Sequence, residues 1–175
     1  MAQSSPDTVI TLVRFDAPDS ATAWRIINDG VMGGLSRGQM RINDDGTATF
    51  RGAVSLANNG GFASTRAAIT PPPLSHLDGI RLRVRGDGKR YQLRFRMDAG
   101  FDGVSWGAEF DTRSGEWTDL FLAWVEFRPV FRGRAVPQAG PLDPDRIRQV
   151  GFLIGNKQAG TFQLDIAAVA AVPSP

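Results

Sequence analysis

The chain has 175 residues, 42% hydrophobic and 22% charged, with 20 glycines, 11 prolines and a formal charge of +2; it is long enough for one domain with a full core and too apolar for a disordered chain. It contains no cysteine, which removes disulfides, thiolate metal sites and a cysteine nucleophile together, and one histidine, His76, which removes a multi-histidine metal centre. No apolar run reaches the roughly 18 residues of a spanning helix, and the opening lacks a basic segment followed by an apolar one, so the expectation is a soluble, cytoplasmic protein.

In chain order, period-two alternation dominates and no segment keeps a helical apolar stripe. Strands are expected near 10–15, then in a hairpin over "QMRINDDGTATF", where Met40 and Ile42 face Ala48 and Phe50 across an Asp45-Gly46 turn. Further strands are read near 52–57 and 60–66. The "PPPLSHLDG" stretch, 71–79, cannot sit inside a sheet because prolines donate no ladder bonds, and is read as a crossing loop. "IRLRVR" (80–85) and "YQLRFRM" (91–97) alternate cleanly and read as a hairpin about the "GDGK" turn. Strands follow near 104–111, 118–124, 147–154 and 161–170, about ten in all, with an Asp-Pro-Asp segment at 143–145 able to open one short helix. Short strands, long crossings and one apolar stripe per strand imply an all-β jelly-roll sandwich of two antiparallel sheets. Residues 9–172 are expected to form this single domain, with flexible ends at 1–8 and 173–175.

Two segments, "NDGVMGGLSRG" (28–38) and "SLANNGGFASTR" (55–66), concentrate glycines and side-chain amides. Neither matches a phosphate-loop pattern, and neither has the strand-to-helix context such a loop needs. Asn58 and Asn59 suit left-handed backbone, so both segments read first as structural corners, and secondly as a binding rim. Met32, an adaptable apolar side chain in a glycine loop, fits either a contact tip or a core plug. Carboxylate pairs at Asp98/Asp102 and Glu109/Asp111 sit in turn and surface positions, "INDDGT" would serve a calcium ion no better than it serves a turn, and no metal or cofactor is expected.

If 79–97 is one hairpin, Arg81, Arg83, Arg85, Arg94 and Arg96 share an outer face, with Glu109 and Asp111 available to neutralise part of it. That face is either internally paired or a docking surface for an acidic protein, an anionic headgroup or a polyanion. Tyr91 points the opposite way, so a stacking platform for single-stranded nucleic acid is not expected. Trp106 and Trp117 read as core, and Trp24 as a brace for the first glycine-rich segment.

Trp24, "NDGVMGGLS" (28–36), "FRGAVSLANNGGFAS" (50–64) with Arg66, "RGDGKRY" (85–91), "FRPVFRGR" (127–134) and "IGNKQAGTFQLDI" (154–166) together resemble the complex I intermediate-associated protein family, over about residues 12–170. The resemblance implies a galactose-binding-domain-like jelly roll and a non-enzymatic role: an assembly factor for a respiratory or photosynthetic membrane complex, as a stand-alone bacterial-type member with a protein partner and with peripheral membrane contact allowed. It leaves open a carbohydrate-binding module-like alternative that takes a sugar or polysaccharide. The binding rim expected on this basis comprises Trp24, Asn28, Asp29, Met32, Ser36, Asn58, Asn59, Arg66, Lys157 and Gln158, with Arg81, Arg83, Arg85, Arg94 and Arg96 as a second surface.

Overall fold

The computed structural model describes residues 8–16 and 23–175. Two antiparallel sheets pack face to face. The first runs β3 (Arg37–Ile42), β4 (Ala48–Val54), β13 (Gly160–Val172), β6 (Gly79–Arg85) and β9 (Trp117–Ala123), and β1 (Ile10–Thr11) also pairs with β13. The second runs β11 (Arg134–Ala135), β10 (Arg128–Phe131), β8 (Ser105–Asp111), β7 (Arg90–Arg96), β12 (Gln149–Ile154), β5 (Ala63–Ala68) and β2 (Trp24–Asn28). The long β13 serves two neighbours on one side, pairing β4 through Ile166 and β1 at Ala170 and Ala171, while its register against β6 shifts between Ile166 and Ala168.

The core lies between the layers and follows the alternation. Ile80, Leu82 and Val84 enter it from one sheet and Tyr91, Leu93 and Phe95 from the other, all with 1% exposure or less. Phe50 meets Phe162 at a ring separation of 4.9 Å, and Trp24 packs between Phe15 and Phe152. Each large apolar side chain removed from water in this way is worth about 1.5–3 kcal/mol. Burial raises the Tyr91 hydroxyl well above its ordinary pKa, and the neighbouring Asp87, which accepts its hydrogen bond at 3.0 Å, adds to the rise.

The expected jelly roll is the fold observed, and the 39–50 hairpin forms with Met40 opposite Phe50 and Ile42 opposite Ala48. The proline stretch is indeed a crossing, carrying the chain from β5 in the second sheet to β6 in the first. Asp143 caps a single 3-10 turn at Pro144–Arg146.

The 79–97 hairpin does not exist. β6 pairs with β9 and β13, β7 pairs with β8 and β12, and the GDGK turn steps from one sheet to the other. Alternation fixes which face of a strand meets the core, and both strands obey it; it carries no information about the neighbour in the ladder. Asp87 secures the step, its carboxylate accepting from Lys89 N, the Tyr91 hydroxyl and Gln163 N. Trp117 is a second correction. Its partner across the ladder is Arg85, so it faces outward, and Arg83 and Arg85 cover its ring at 5.5 and 4.8 Å. Trp106 is core as expected. The expected flexible start, 1–8, falls outside the described residues except at Thr8; at the other end the Ser174 amide donates to Asp78 at 2.8 Å.

Candidate functional site

Both glycine- and amide-rich segments lie at one end of the sandwich, tied together by Asp29. After β2 the chain makes a 3-10 turn over Asp29–Met32, left through Gly33 at φ 87°. Asp29 has no exposed surface. Its Oδ1 accepts from Ser36 N at 2.9 Å, and its Oδ2 accepts from the Ser36 hydroxyl, from Gly61 N at 2.7 Å and from Phe62 N at 3.3 Å. Burial by itself raises the carboxyl pKa, but the donors from Ser36, Gly61 and Phe62 outweigh it and hold the group below 3.8. The Ser36 hydroxyl is also the acceptor for Ser55 N at 2.9 Å, so one carboxylate and one hydroxyl join the 28–38 segment to the 55–66 segment.

The glycines are required by this knot. A Cβ on Gly34 would overlap the Asp29 carboxyl group, and one on Gly60 would sit 2.5 Å from its Oδ2. Asn58 and Asn59 take the left-handed conformation expected of them, at φ 55° and 58°, and the Asn58 amide donates to Gly33 O at 3.2 Å. Asn28 spans the same gap, donating to Ser36 O and accepting from Ser64 N. Met32 closes the 3-10 turn, and its side chain lies outside the described residues.

Of the other rim residues, Gln158 and Lys157 occupy the β12–β13 turn at this same end, where a Cβ on Gly155 would touch Gly61 and Phe62. Gln158 is bonded to both the amide and the carbonyl of Arg90, whereas Lys157 is exposed. Trp24 is not on the rim: it is 8% exposed, within the core. Arg66 projects from the second sheet, where its Nη2 donates to Phe101 O at 2.6 Å. Two residues that sequence reading passed over stand out. Leu35 and Leu56 flank the Ser36–Ser55 junction and are 59% and 44% exposed. Nothing in the alternation marks them, since both belong to turns.

The five arginines of the expected second surface divide between opposite outer faces. Arg81, Arg83 and Arg85 belong to the first sheet, and Arg94 and Arg96 to the second. Arg83 bridges Asp119 at 2.8 Å, and Arg85 holds the buried Asp165 at 2.9 Å. Glu109 and Asp111 do neutralise an arginine, but it is Arg90, at 3.2 and 2.7 Å. Because Arg83 and Asp119 are both about half exposed, Arg83→Gln should change stability by less than about 0.5 kcal/mol, read by urea denaturation.

One carboxylate of each pair is held in its charged form by an arginine. A hydrogen bond from Arg90 lowers the Asp111 pKa, and one from Arg132 lowers that of Asp102. General-acid work requires a carboxyl raised toward neutrality. Asp45 is engaged at its turn by the Thr47 amide and hydroxyl. Among the described residues, no group of three or more metal-ligating side chains comes together.

The model of the family described as Complex I intermediate-associated protein 30 (CIA30) matches residues 13–166. The chain belongs to this family. The mitochondrial Complex I intermediate-associated protein 30 of Mus musculus is 30% identical over 58% of the chain, and that of Drosophila melanogaster 24% identical over 87%. The alignments cover 32% and 59% of those two proteins, so the chain spans about a third to three-fifths of their length. An uncharacterized Schizosaccharomyces pombe protein is 27% identical over 93% of the chain and 84% of its own length. A family 11 carbohydrate-binding module of Clostridium thermocellum, solved with a mixed-linked tetrasaccharide, superposes with a TM-score of 0.71 at 16% identity, covering 98% of both chains. An agarase superposes at 0.60, with 10% identity over 95% of this chain and 25% of its own. At these identities the likeness places the CIA30 chain in the jelly-roll, galactose-binding-like fold. Among the described residues no helix is long and apolar enough to cross a membrane.

Proposed function

We propose that this CIA30-family chain is a non-catalytic binding domain that engages a protein partner during assembly of a respiratory membrane complex of the complex I type. The observation that carries the reading is family membership over residues 13–166, supported by relatives whose names place them with complex I intermediates. The contact surface is the tied end of the sandwich. Its rigid frame, Asn28, Asp29 and Ser36, holds out the exposed tips Leu35, Leu56, Asn58, Asn59 and Lys157, and Met32 belongs to the same loop. Apolar tips set among backbone-bonded amides suit a protein interface, in which an apolar centre is ringed by polar groups. A sugar reading has less support, because one face of each of the Phe101 and Trp117 rings already carries a guanidinium.

Affinity capture from native membranes with the tagged chain tests the proposal. Subunits of a respiratory complex should be recovered with the wild type and lost with the Leu35→Asp/Leu56→Asp variant, whose melting temperature should stay close to wild type. Recovery of no membrane-complex subunit by the wild type, or equal recovery by the variant, overturns it.

A further inference from the structure

The outer face of the second sheet carries one row of directly opposed residues drawn from six strands. They are Arg25 of β2, Arg66 of β5, Gly151 of β12, Arg94 of β7, Gly107 of β8 and Arg128 of β10. At about 4.8 Å between strands, the row is about 24 Å long. Four positions hold a guanidinium and the other two hold no side chain at all.

Opposed like charges destabilise a sheet unless something neutralises them. Of the arginines outside the row, Arg83, Arg85, Arg90 and Arg132 each hold a carboxylate. Among the described residues, none of the four in the row does. Arg94 donates Nε to Gln92 Oε1 at 3.0 Å and Arg66 donates to Phe101 O, both neutral acceptors. Arg96 stands in the adjacent row and donates to Gly103 O. The acids that approach are Asp98 and Asp102 on the 97–104 loop; the first is bonded to Gly100 N and the second to Arg132. Burial, and after it the charge of Arg96, brings both Arg66 and Arg94 down to about 10.

The glycines let neighbouring side chains lie close across the row: a Cβ on Gly151 would lie 2.7 Å from Thr65 O, and Gly107 is covered by the Gln92 and Arg94 side chains, at 3.2 and 3.4 Å from where a Cβ would be. Above Gly151 is a cavity of about 40 Å³ bordered by Ser64, Arg66, Arg94, Arg96 and Gln149, open to solvent and of a size for a carboxylate.

We propose that this row is a docking surface for an acidic segment of a partner polypeptide, whose carboxylates pair with Arg25, Arg66, Arg94 and Arg128. Planar guanidinium groups match carboxylates two bonds at a time. The row offers no outward aromatic ring on which a sugar or a base could stack, and the nearest, Phe101, is already stacked against Arg66 at 4.8 Å. The inference deepens the reading of the chain as a protein-binding domain and rests on it, adding the chemistry of the partner and a surface apart from the leucine and asparagine tips.

The test is fluorescence anisotropy with a labelled hexaglutamate peptide at low salt. The wild type should bind, with an affinity that falls as salt rises. Arg66→Gln/Arg94→Gln should weaken binding by about tenfold, equivalent to about two exposed ion pairs. Arg66→Lys/Arg94→Lys should fall between the two, and Arg83→Gln, on the opposite sheet, should bind as wild type. Arg128→Glu, at the exposed end of the row, should weaken binding several-fold and keeps the test alive if the double variant fails to fold. Unchanged affinity in the row variants, equal loss in Arg83→Gln, or binding of a sulfated polysaccharide through these arginines with none of hexaglutamate overturns the docking surface. If hexaglutamate fails while the wild type still captures respiratory subunits, the docking surface falls and the assembly reading stands; if hexaglutamate binds while capture fails, the assembly reading falls.

Discussion

Asp29→Ala is expected to destabilise the protein by about 4 kcal/mol and to lower its melting temperature by about 10 °C. The substitution takes the acceptor from three backbone donors, the buried Ser36 N and the part-buried Gly61 N and Phe62 N, while the Ser36 hydroxyl can turn to Ser55 O at 3.3 Å. A buried donor left without a partner costs about 1–3 kcal/mol, and relaxation of the two loops returns part of the sum. Asp29→Asn should cost about half as much: with its oxygen at the Oδ2 position the amide still accepts three of the bonds, and only Ser36 N then faces a donor. The pH dependence has a definite sign. The folded carboxyl lies below the unfolded value of 3.8, so its contribution is whole above about pH 5 and is lost as pH falls through the folded value. The gap between wild type and Asp29→Ala, measured by urea denaturation, should therefore narrow below about pH 4. A gap that is constant with pH, or a cost under about 1 kcal/mol, would show that the carboxylate is not what joins the loops.

The tie between these loops was only half visible in the residues. Asn58, Asn59 and the glycines announce corners, because left-handed backbone and close approach restrict the choice of side chain. Nothing in Asp29 distinguishes a buried carboxylate from the surface acids around it, since its burial is set by donors 7 to 33 residues away. The sandwich itself was legible for a related reason. Ile80, Leu82, Val84, Tyr91, Leu93 and Phe95 all sit on the faces their spacing assigns, because which face is buried is a local property. Which strands pair is not local, and the arginines were consequently assigned to one face when they occupy two. The row from Arg25 to Arg128 shows the same difficulty in a stronger form. Its members are scattered over more than a hundred positions and become neighbours only through five separate ladder pairings. Trp117 was misassigned because it lies on β9, an edge strand, where an aromatic ring can be covered by arginines from next door instead of by the core.

Gly34→Ala should reveal the same knot from the glycine side. The added methyl would enter the space of the Asp29 carboxyl group, which is pinned from two loops and cannot swing aside. Gly34 has no positive φ to forbid the alanine, so the cost is one of space, and overpacking of a fixed site is worth about 3 kcal/mol. In an Asp29→Ala background the two nearest atoms, both of the carboxyl group, are gone, and the Cβ of residue 29 remains at 2.8 Å from the new methyl. The glycine substitution should then cost about 1 kcal/mol, a coupling of about 2 kcal/mol between the two positions. Urea denaturation of the wild type, the two single variants and the double variant measures it. Strict additivity would mean that the methyl is accommodated elsewhere and that Gly34 is in this loop for its backbone, not for the room it leaves to Asp29.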